Sequence, residues 1–222
     1  MITITIILGV NYLRPNSWPS HYDSVVLITS IGCKSSPTQT VGTVIGKDLI
    51  VTVAHGVAGQ TSTSITTVSG QVLNAKVVAI DINLDLALIY VDSAKLTTKL
   101  LPLKFADAVE GSETRFVAFE DSQQFAISAK IKEILRIDTE DIYLKNKISR
   151  PGLKVKTRVV VGNSGGPLIN PKGEIVGLVW ATSRTEKNLA WATRIEAADK
   201  LLALISSRNP QSATPQVVAC TG

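Results

Sequence analysis

The sequence predicts an all-β fold, on the basis of three observations. Hydrophobic residues make up 45% of the 222 residues, whereas 18% are charged and 5% are aromatic. The core must therefore be built from Val, Ile, Leu and Ala, and the β-branched members of this set favour strands. Short apolar runs recur along the chain, and Gly, Pro, Ser, Asn and Asp separate them. Many short strands with turn residues between them indicate a β-barrel or a β-sandwich.

The apolar runs divide the chain into two halves of similar size. The runs that have the length and composition of strands cover residues 24–31, 42–45, 49–53, 72–80, 86–91, 115–119, 126–135, 142–144, 155–161, 167–169, 174–180 and 189–193. A break in the pattern at residues 105–112 predicts a crossover between two barrels of six strands. These barrels would occupy residues 24–104 and 113–194.

The two ends of the chain differ from this pattern. Apolar residues recur at helical spacing after the last strand, which predicts one helix over residues 195–209. Residues 210–222 contain two prolines, and we expect an extended tail that Cys220 tethers. Residues 1–23 are an N-terminal extension that begins with the apolar run MITITIILGV. We interpret this run as a strand; the alternative is the stub of an upstream membrane or export segment, which would attach the protein to a membrane.

Composition excludes several classes of function. The net charge is +5 at pH 7, and the basic residues are spread along the chain, so no nucleic-acid partner is expected. Two cysteines and two histidines are too few for a zinc site, and we expect no metal and no other cofactor. The densest basic run, from Lys145 to Arg158, has the near-alternate spacing of a solvated strand face. An anionic partner is the alternative interpretation of this run.

Three segments carry residues suited to nucleophilic catalysis. His55 lies in VTVAHGVAG, after a predicted strand, and Asp85 lies at the head of a strand in DINLDLALIYV. Taken alone, each is more typical of a packing or turn residue. Ser164 lies in VGNSGGPLIN, where glycines permit a tight turn that exposes the hydroxyl and the neighbouring backbone N–H groups. The order His, Asp, Ser fits a base, an acid and a nucleophile that meet between two barrels.

Together, the three segments resemble the trypsin-like serine peptidases, in particular the bacterial branch that includes the HtrA proteases. The likeness extends over residues 24–205, and the segments GNSGGPLIN and GEIVGLVW are most similar to a mycobacterial member of that branch. It implies a chymotrypsin-like fold of two perpendicular six-stranded β-barrels with the active site between them. By the same resemblance, His55 is the general base, Asp85 orients it and Ser164 attacks the substrate. The backbone N–H groups of Gly162 and Ser164 would form the oxyanion hole.

The chain departs from the digestive members of this family beside the nucleophile. Asn163 stands where those members carry an Asp that pairs with a newly cleaved N-terminus, and an amide forms no such ion pair. We therefore expect no activation by release of an N-terminus.

The resemblance also implies where a substrate would bind. Val179, Trp180 and Ala181 would pair with the substrate as an added β-strand, and residues 189–193 would form a wall of the first pocket. The segment before the nucleophile carries Arg158 and no acid, which disfavours cleavage after Lys or Arg. We expect a small or medium apolar residue at the cleavage site.

The two cysteines indicate the compartment. Cys33 and Cys220 both lie in polar segments rather than in core-like ones, so we expect a disulfide between them. Such a bond closes nearly the whole chain into a loop and implies an oxidising compartment. Two free thiols in a cytosolic protein are the alternative.

The sequence therefore predicts a monomeric serine endopeptidase that cuts proteins or peptides through an acyl-enzyme. We expect it in the periplasm or outside the cell, in association with a membrane if an upstream segment anchors it. A catalytically inactive homologue that binds peptides is the main alternative. A basic binding module is a third reading, but Tyr143 is the only aromatic residue near the basic run.

Overall fold

The computed structural model describes residues 18–19, 21–206 and 218–221, and within them the chain folds into two closed barrels of six antiparallel strands. The predicted all-β fold of two six-stranded barrels with a C-terminal helix is confirmed. The apolar run at residues 1–10, interpreted above as a strand or a stub, lies outside the described residues. Among the residues described, no helix is long and apolar enough to cross a lipid bilayer.

The first barrel closes in the order β1, β2, β3, β6, β5, β4. Its strands are β1 (Val25–Ile31), β2 (Thr38–Gly46), β3 (Leu49–Thr52), β4 (Ser62–Thr66), β5 (Val72–Asp81) and β6 (Leu86–Val91). Side chains alternate between the two faces of a strand, so one face of each strand fills the barrel. Ile28, Ile50, Ile65 and Ile89 are fully buried members of this core.

The second barrel closes in the order β10, β11, β12, β9, β8, β7. Its strands are β7 (Glu113–Glu120), β8 (Gln123–Glu140), β9 (Lys147–Lys156), β10 (Pro167–Ile169), β11 (Ile175–Thr182) and β12 (Leu189–Arg194). Phe116, Ile131, Leu153 and Leu168 are fully buried in its core.

The C-terminal helix α1 (Asp199–Ser206) follows a short 3₁₀ turn and belongs spatially to the first barrel. Leu201 and Ile205 pack in one apolar cluster with Leu86 and Leu88 of β6. Ile175 of β11 joins the same cluster. The helix therefore buries its apolar face where the two barrels meet.

The β8–β9 hairpin (residues 123–156) reaches from the second barrel to the first. At its tip, the buried carboxylate of Asp141 accepts hydrogen bonds from the backbone N–H groups of Tyr143 and Lys145. The N–H of Ile142 donates to the carbonyl of Ile82 in the first barrel at 3.1 Å. This long hairpin therefore brings residues of β9 close to the first barrel.

Three strand predictions need correction. The predicted strand at 142–144 is the hairpin tip, because Asp141 holds the backbone in a turn. The predicted strand at 155–161 overlaps β9 only at residues 155–156, because β9 begins at Lys147 and residues 157–161 belong to the loop that leads to Ser164. β4 was missing from the prediction, because its sequence STSIT has only one large apolar residue, Ile65.

Candidate active site

His55 and Asp85 are brought together by the pairing of β3 with β6. Thr52 at the end of β3 lies opposite Ala87 near the start of β6. His55 follows β3 and Asp85 immediately precedes β6, so both residues emerge at the same edge of the first barrel. The strand register thus explains why residues that are distant in sequence become neighbours.

Two hydrogen bonds join the residues of this pair. The His55 Nδ1 atom lies 2.8 Å from Asp85 Oδ2, and the His55 backbone N–H donates to Asp85 Oδ1 at 2.9 Å. Asp85 is 3% exposed and has a φ of 56°, a left-handed conformation that Asp tolerates better than most residues. With Nδ1 turned toward the carboxylate, Nε2 is the ring nitrogen that remains to take a proton from another group.

The electrostatic surroundings raise the pKa of His55. Burial by itself lowers this pKa, but the charge and the hydrogen bond of Asp85 raise it by more. The positive charges of Arg150 and Lys34 act in the opposite direction to Asp85. The imidazole is therefore a stronger base than a free histidine side chain.

Ser164 lies in the loop between β9 and β10, and Asn163 fixes the shape of this loop. The N–H of Asn163 donates to the carbonyl of Val160 at 3.1 Å, and Gly162 takes the third position of this turn with a φ of 94°. A type II turn requires this sign of φ, which glycine adopts without strain. The amide of Asn163 is 1% exposed and donates to the carbonyl of Phe119 at 2.8 Å. An amide thus holds the loop without an ion pair to an N-terminus.

The nucleophile loop is docked on the first barrel, close to His55. The N–H of Val41 in β2 donates to the carbonyl of Ser164 at 2.8 Å, and Thr52 donates to the carbonyl of Val41 at 2.7 Å. A Cβ on Gly165 would lie 2.0 Å from the Val41 oxygen, so a side chain there does not fit. Thr52 precedes His55 by three residues, so these contacts bring the serine loop to the histidine.

The Ser164 hydroxyl donates to the carbonyl of Trp180 at 3.4 Å. Within the described part of the chain, no hydrogen bond joins Ser164 to His55. Catalytic hydrogen bonds are often long or poorly aligned in the absence of substrate and tighten in the complex. The N–H groups of Gly162 and Ser164 find no acceptor among the described residues. They are therefore available to an oxygen atom that arrives with a substrate.

Among the described residues, the pairing of β11 with β10 ends at Leu178, so the rest of β11 has no strand partner on that side. Both backbone groups of Val179 are used by the nucleophile loop: its carbonyl accepts from Gly165 at 2.7 Å and its N–H donates to Gly166 at 3.0 Å. The side chain of Val179 is fully buried. Of the three residues predicted to pair with substrate, Val179 thus has both backbone groups bonded to the nucleophile loop, and pairing of Trp180 and Ala181 with a substrate stays a prediction.

The predicted disulfide between Cys33 and Cys220 is present, with a Cα–Cα distance of 5.5 Å. It holds residues 218–221 against the first barrel. Thr221 in this segment donates from its hydroxyl to the backbone carbonyl of His55 at 3.0 Å. The end of the chain therefore supports the backbone of the candidate base, a contact that the sequence pattern did not indicate.

Arg150 was assigned to a solvated face in the sequence, and that assignment is wrong. It is 2% exposed, and its Nη1 atom lies 3.7 Å from Asp85 Oδ2. The near-alternate basic spacing gave no sign of this, although Lys145, Lys147 and Lys156 are exposed as predicted. The other basic members pair with acids at the surface: Lys154 with Glu186 and Arg158 with Glu120.

No group of three or more potential metal ligands occurs among the residues that the structure describes. His21, the second histidine, is exposed.

This fold and this arrangement of residues define a class of protein. Residues 40–178 match the family described as the trypsin-like peptidase domain, and the chain belongs to that family. It is 29% identical to the serine protease Rv3671c of Mycobacterium tuberculosis over 193 residues, which is 84% of this chain and 47% of that protein. The crystal structure of the active form of that protease superimposes with a TM-score of 0.79 at 28% identity, covering 90% of this chain and 87% of the other.

A second relative is a probable periplasmic DegP-like serine endoprotease of Halomonas elongata, 29% identical over 165 residues. These residues are 71% of this chain and 33% of that protein. The chain thus spans about half the length, or less, of these two relatives.

Proposed function

We propose that the chain is a serine endopeptidase in which Ser164 is the nucleophile, His55 the general base and Asp85 the residue that orients the base. The observation that carries the proposal is the pair of hydrogen bonds from His55 to Asp85, formed beside a serine loop that is docked on the same barrel. A carboxylate on Nδ1 fixes the tautomer that accepts a proton at Nε2. Membership of the trypsin-like peptidase family supports the same chemistry.

The reaction follows from these positions. Ser164 Oγ attacks the scissile carbonyl and gives its proton to His55 Nε2, while Asp85 stabilises the imidazolium. The N–H groups of Gly162 and Ser164 bind the oxygen on which negative charge develops. His55 then protonates the leaving amine, which produces an acyl-enzyme on Ser164. Water hydrolyses this ester by the same steps, with His55 again as the base.

The substrate of this proposal is an extended peptide. Its backbone would add to the open edge of β11 at Trp180 and Ala181, as strands add to exposed sheet edges in other complexes. A cavity of about 910 Å³ continues from Trp180 along the β8–β9 hairpin and offers room for side chains. The apolar cleavage-site preference remains a prediction, as does the monomeric state.

A cleavage experiment tests the proposal. Purified chain is incubated with a library of unstructured peptides, and new termini are identified by mass spectrometry. We expect internal cuts that disappear in Ser164→Ala and persist in Ser128→Ala, which removes an exposed hydroxyl on β8. Peptides that bind equally to both chains without being cut would support the inactive peptide-binding homologue instead.

We also propose that the protein works in an oxidising compartment, the periplasm or the cell exterior. The Cys33–Cys220 disulfide and the periplasmic relative support this location. Alkylation of the producing cells before lysis, followed by mass analysis without reduction, tests it. Two alkylated cysteines would contradict the proposal. Attachment to a membrane remains a prediction.

A further inference from the structure

Arg150 is a buried cation beside the catalytic pair, and it comes from the other barrel. It lies on β9, whereas His55 and Asp85 belong to the first barrel. Its Nη1 atom is 3.7 Å from Asp85 Oδ2, and the two side chains are only 3% and 5% exposed. A charge that is removed from water costs much free energy unless an opposite charge faces it. Packing alone therefore does not explain why a charged side chain is buried at this position.

The guanidinium is held mainly by groups other than Asp85. It stacks over the indole of Trp180, with 4.7 Å from Cζ to the ring centroid. Its Nη2 atom donates to the carbonyl of Glu140 at 2.9 Å. Nη1 and Nε have no hydrogen-bond acceptor in the described residues. Arg150 thus acts on Asp85 through its charge, while His55 supplies the directional hydrogen bonds to the carboxylate.

Few charged groups among the described residues act on Arg150 and His55. Asp85, Asp81 and Asp141 face Arg150, whereas Asp85, Arg150 and Lys34 face His55. Asp81 accepts the backbone N–H groups of residues 83 and 84, and Asp141 closes the hairpin tip. Asp85 is therefore the carboxylate at ion-pair distance that is shared between Arg150 and His55.

Arg150 and Asp85 have opposite effects on the imidazole. The negative charge of Asp85 favours protonation of His55, and the positive charge of Arg150 disfavours it. Without Arg150, Asp85 would make His55 a stronger base. It would also increase the fraction of His55 that is protonated, and so inactive, at a given pH. The guanidinium limits this second effect.

We propose that Arg150 is an electrostatic positioning residue that keeps His55 neutral at a lower pH than the His55–Asp85 pair alone would allow. This inference rests on the proposed function for its consequence in catalysis, but its physical content concerns charges in the folded protein. Because Arg150 is carried by the second barrel, this balance exists only when the two barrels are docked.

The test is a titration of His55 by NMR in chains that carry Ser164→Ala, so that no catalysis is needed. His21 is exposed and serves as an internal reference. We expect Arg150→Gln to raise the midpoint of His55 by about 0.5 pH unit or more and to leave His21 unchanged. Arg136→Gln is the matched control, because Arg136 is an exposed residue of the same hairpin whose side chain binds Ser149. Arg150→Met is the second neutral variant if Arg150→Gln does not fold.

Activity provides the second readout, with Ser164 intact. In Arg150→Gln, the midpoint of the acid limb of kcat/KM against pH should move to higher pH together with the His55 midpoint. The value of kcat/KM on the high-pH plateau should stay within about threefold of the wild-type value. Arg150→Lys keeps the charge and should restore the wild-type midpoints of both the kcat/KM profile and the His55 titration. A merely structural role would lower the plateau at every pH without moving the limb.

Three results would overturn the proposal: an unchanged His55 midpoint in a folded neutral variant, an equal shift in Arg136→Gln, or an Arg150→Lys midpoint as high as that of Arg150→Gln. A shifted midpoint in a protein that cuts no peptide would support the charge balance and contradict the proposed function. The two failures are therefore distinguishable.

Discussion

The two barrels each contribute one half of the candidate active site, and they hold their halves by different means. In the first barrel, His55 and Asp85 are fixed by two hydrogen bonds to the Asp85 carboxylate, one from the His55 ring and one from the His55 backbone N–H. In the second barrel, Ser164 is fixed by backbone hydrogen bonds and by turns in which Gly162 and Gly165 have positive φ. One half therefore depends on charge, and the other depends on the shape of the main chain.

This difference separates two kinds of failure. A substitution of a charged group in the first half changes the electrostatic surroundings of His55, so its effect on activity varies with pH. A substitution in the nucleophile loop moves the backbone, so its effect on activity appears at every pH. Each of the following predictions removes a support of one half and asks whether the other half is affected.

Asp85→Asn should cause the largest loss, about 10⁴-fold in kcat, because an amide favours the wrong tautomer of His55. It also leaves Arg150 buried without a carboxylate in contact, which should lower the free energy of unfolding by about 3 kcal/mol. Asp121→Asn is the control: Asp121 is exposed and has a similar φ of 50° against 56° for Asp85. Steady-state kinetics and urea unfolding measure both effects. Equal losses in the two variants would assign the effect to the backbone.

Removal of the disulfide by the double change Cys33→Ser and Cys220→Ser should mainly reduce stability. The bond spans 187 residues, for which loop-closure entropy gives an upper value of roughly 5 kcal/mol. The segment it tethers contacts the His55 backbone through Thr221, so the first half of the site should lose its support. Urea unfolding of the oxidised chain and of the double variant measures the change. An unchanged unfolding midpoint would show that the tail is held by other contacts.

Gly165→Ala should damage the second half. The new Cβ would lie 2.0 Å from the carbonyl oxygen of Val41, and the φ of 86° is unfavourable for alanine. We expect a loss of about 2 kcal/mol or more in the free energy of unfolding and about 10²-fold in kcat, because Ser164 moves. Gly70→Ala is the control, with a φ of 83° and open space around the new Cβ. It should cost about 1 kcal/mol and leave kcat unchanged.

The pH dependence should show the smallest effect. The proposed mechanism requires neutral His55, and the pKa of His55 lies above the ordinary value of about 6.5. The acid limb of kcat/KM should therefore have its midpoint above pH 6.5, and activity should fall as pH drops through it. A profile of kcat/KM from pH 5 to 9 in buffers of constant ionic strength measures the midpoint. A midpoint below 6.5 would mean that Asp85 does not dominate the surroundings of His55.

The sequence was sufficient for the features that depend on local residue type. Gly and Asn around Ser164 predicted the nucleophile loop, and the short apolar runs predicted ten of the twelve strands, although not all of their ends. The disulfide could also be predicted, because Cys33 and Cys220 both lie in polar segments.

The features it missed depend on tertiary contact. β4 forms because β1 and β5 pair with both of its edges, although four of its five residues are Ser or Thr. Arg150 is buried because a long hairpin carries it across the barrel boundary, and no local pattern distinguishes it from the exposed Lys147. The contact of Thr221 with the His55 carbonyl likewise forms between residues that are distant in sequence.

The most direct test of this active site is covalent labelling with a fluorophosphonate. The reagent reacts with a serine only when a base and an oxyanion hole activate it. The oxidised chain is treated at mildly alkaline pH, and the labelled residue is located by tandem mass spectrometry. We expect one label on Ser164, lost in Asp85→Asn and retained in Asp121→Asn. No label on the folded wild-type chain, or a label on another residue, would contradict the claim that the two halves form one active site.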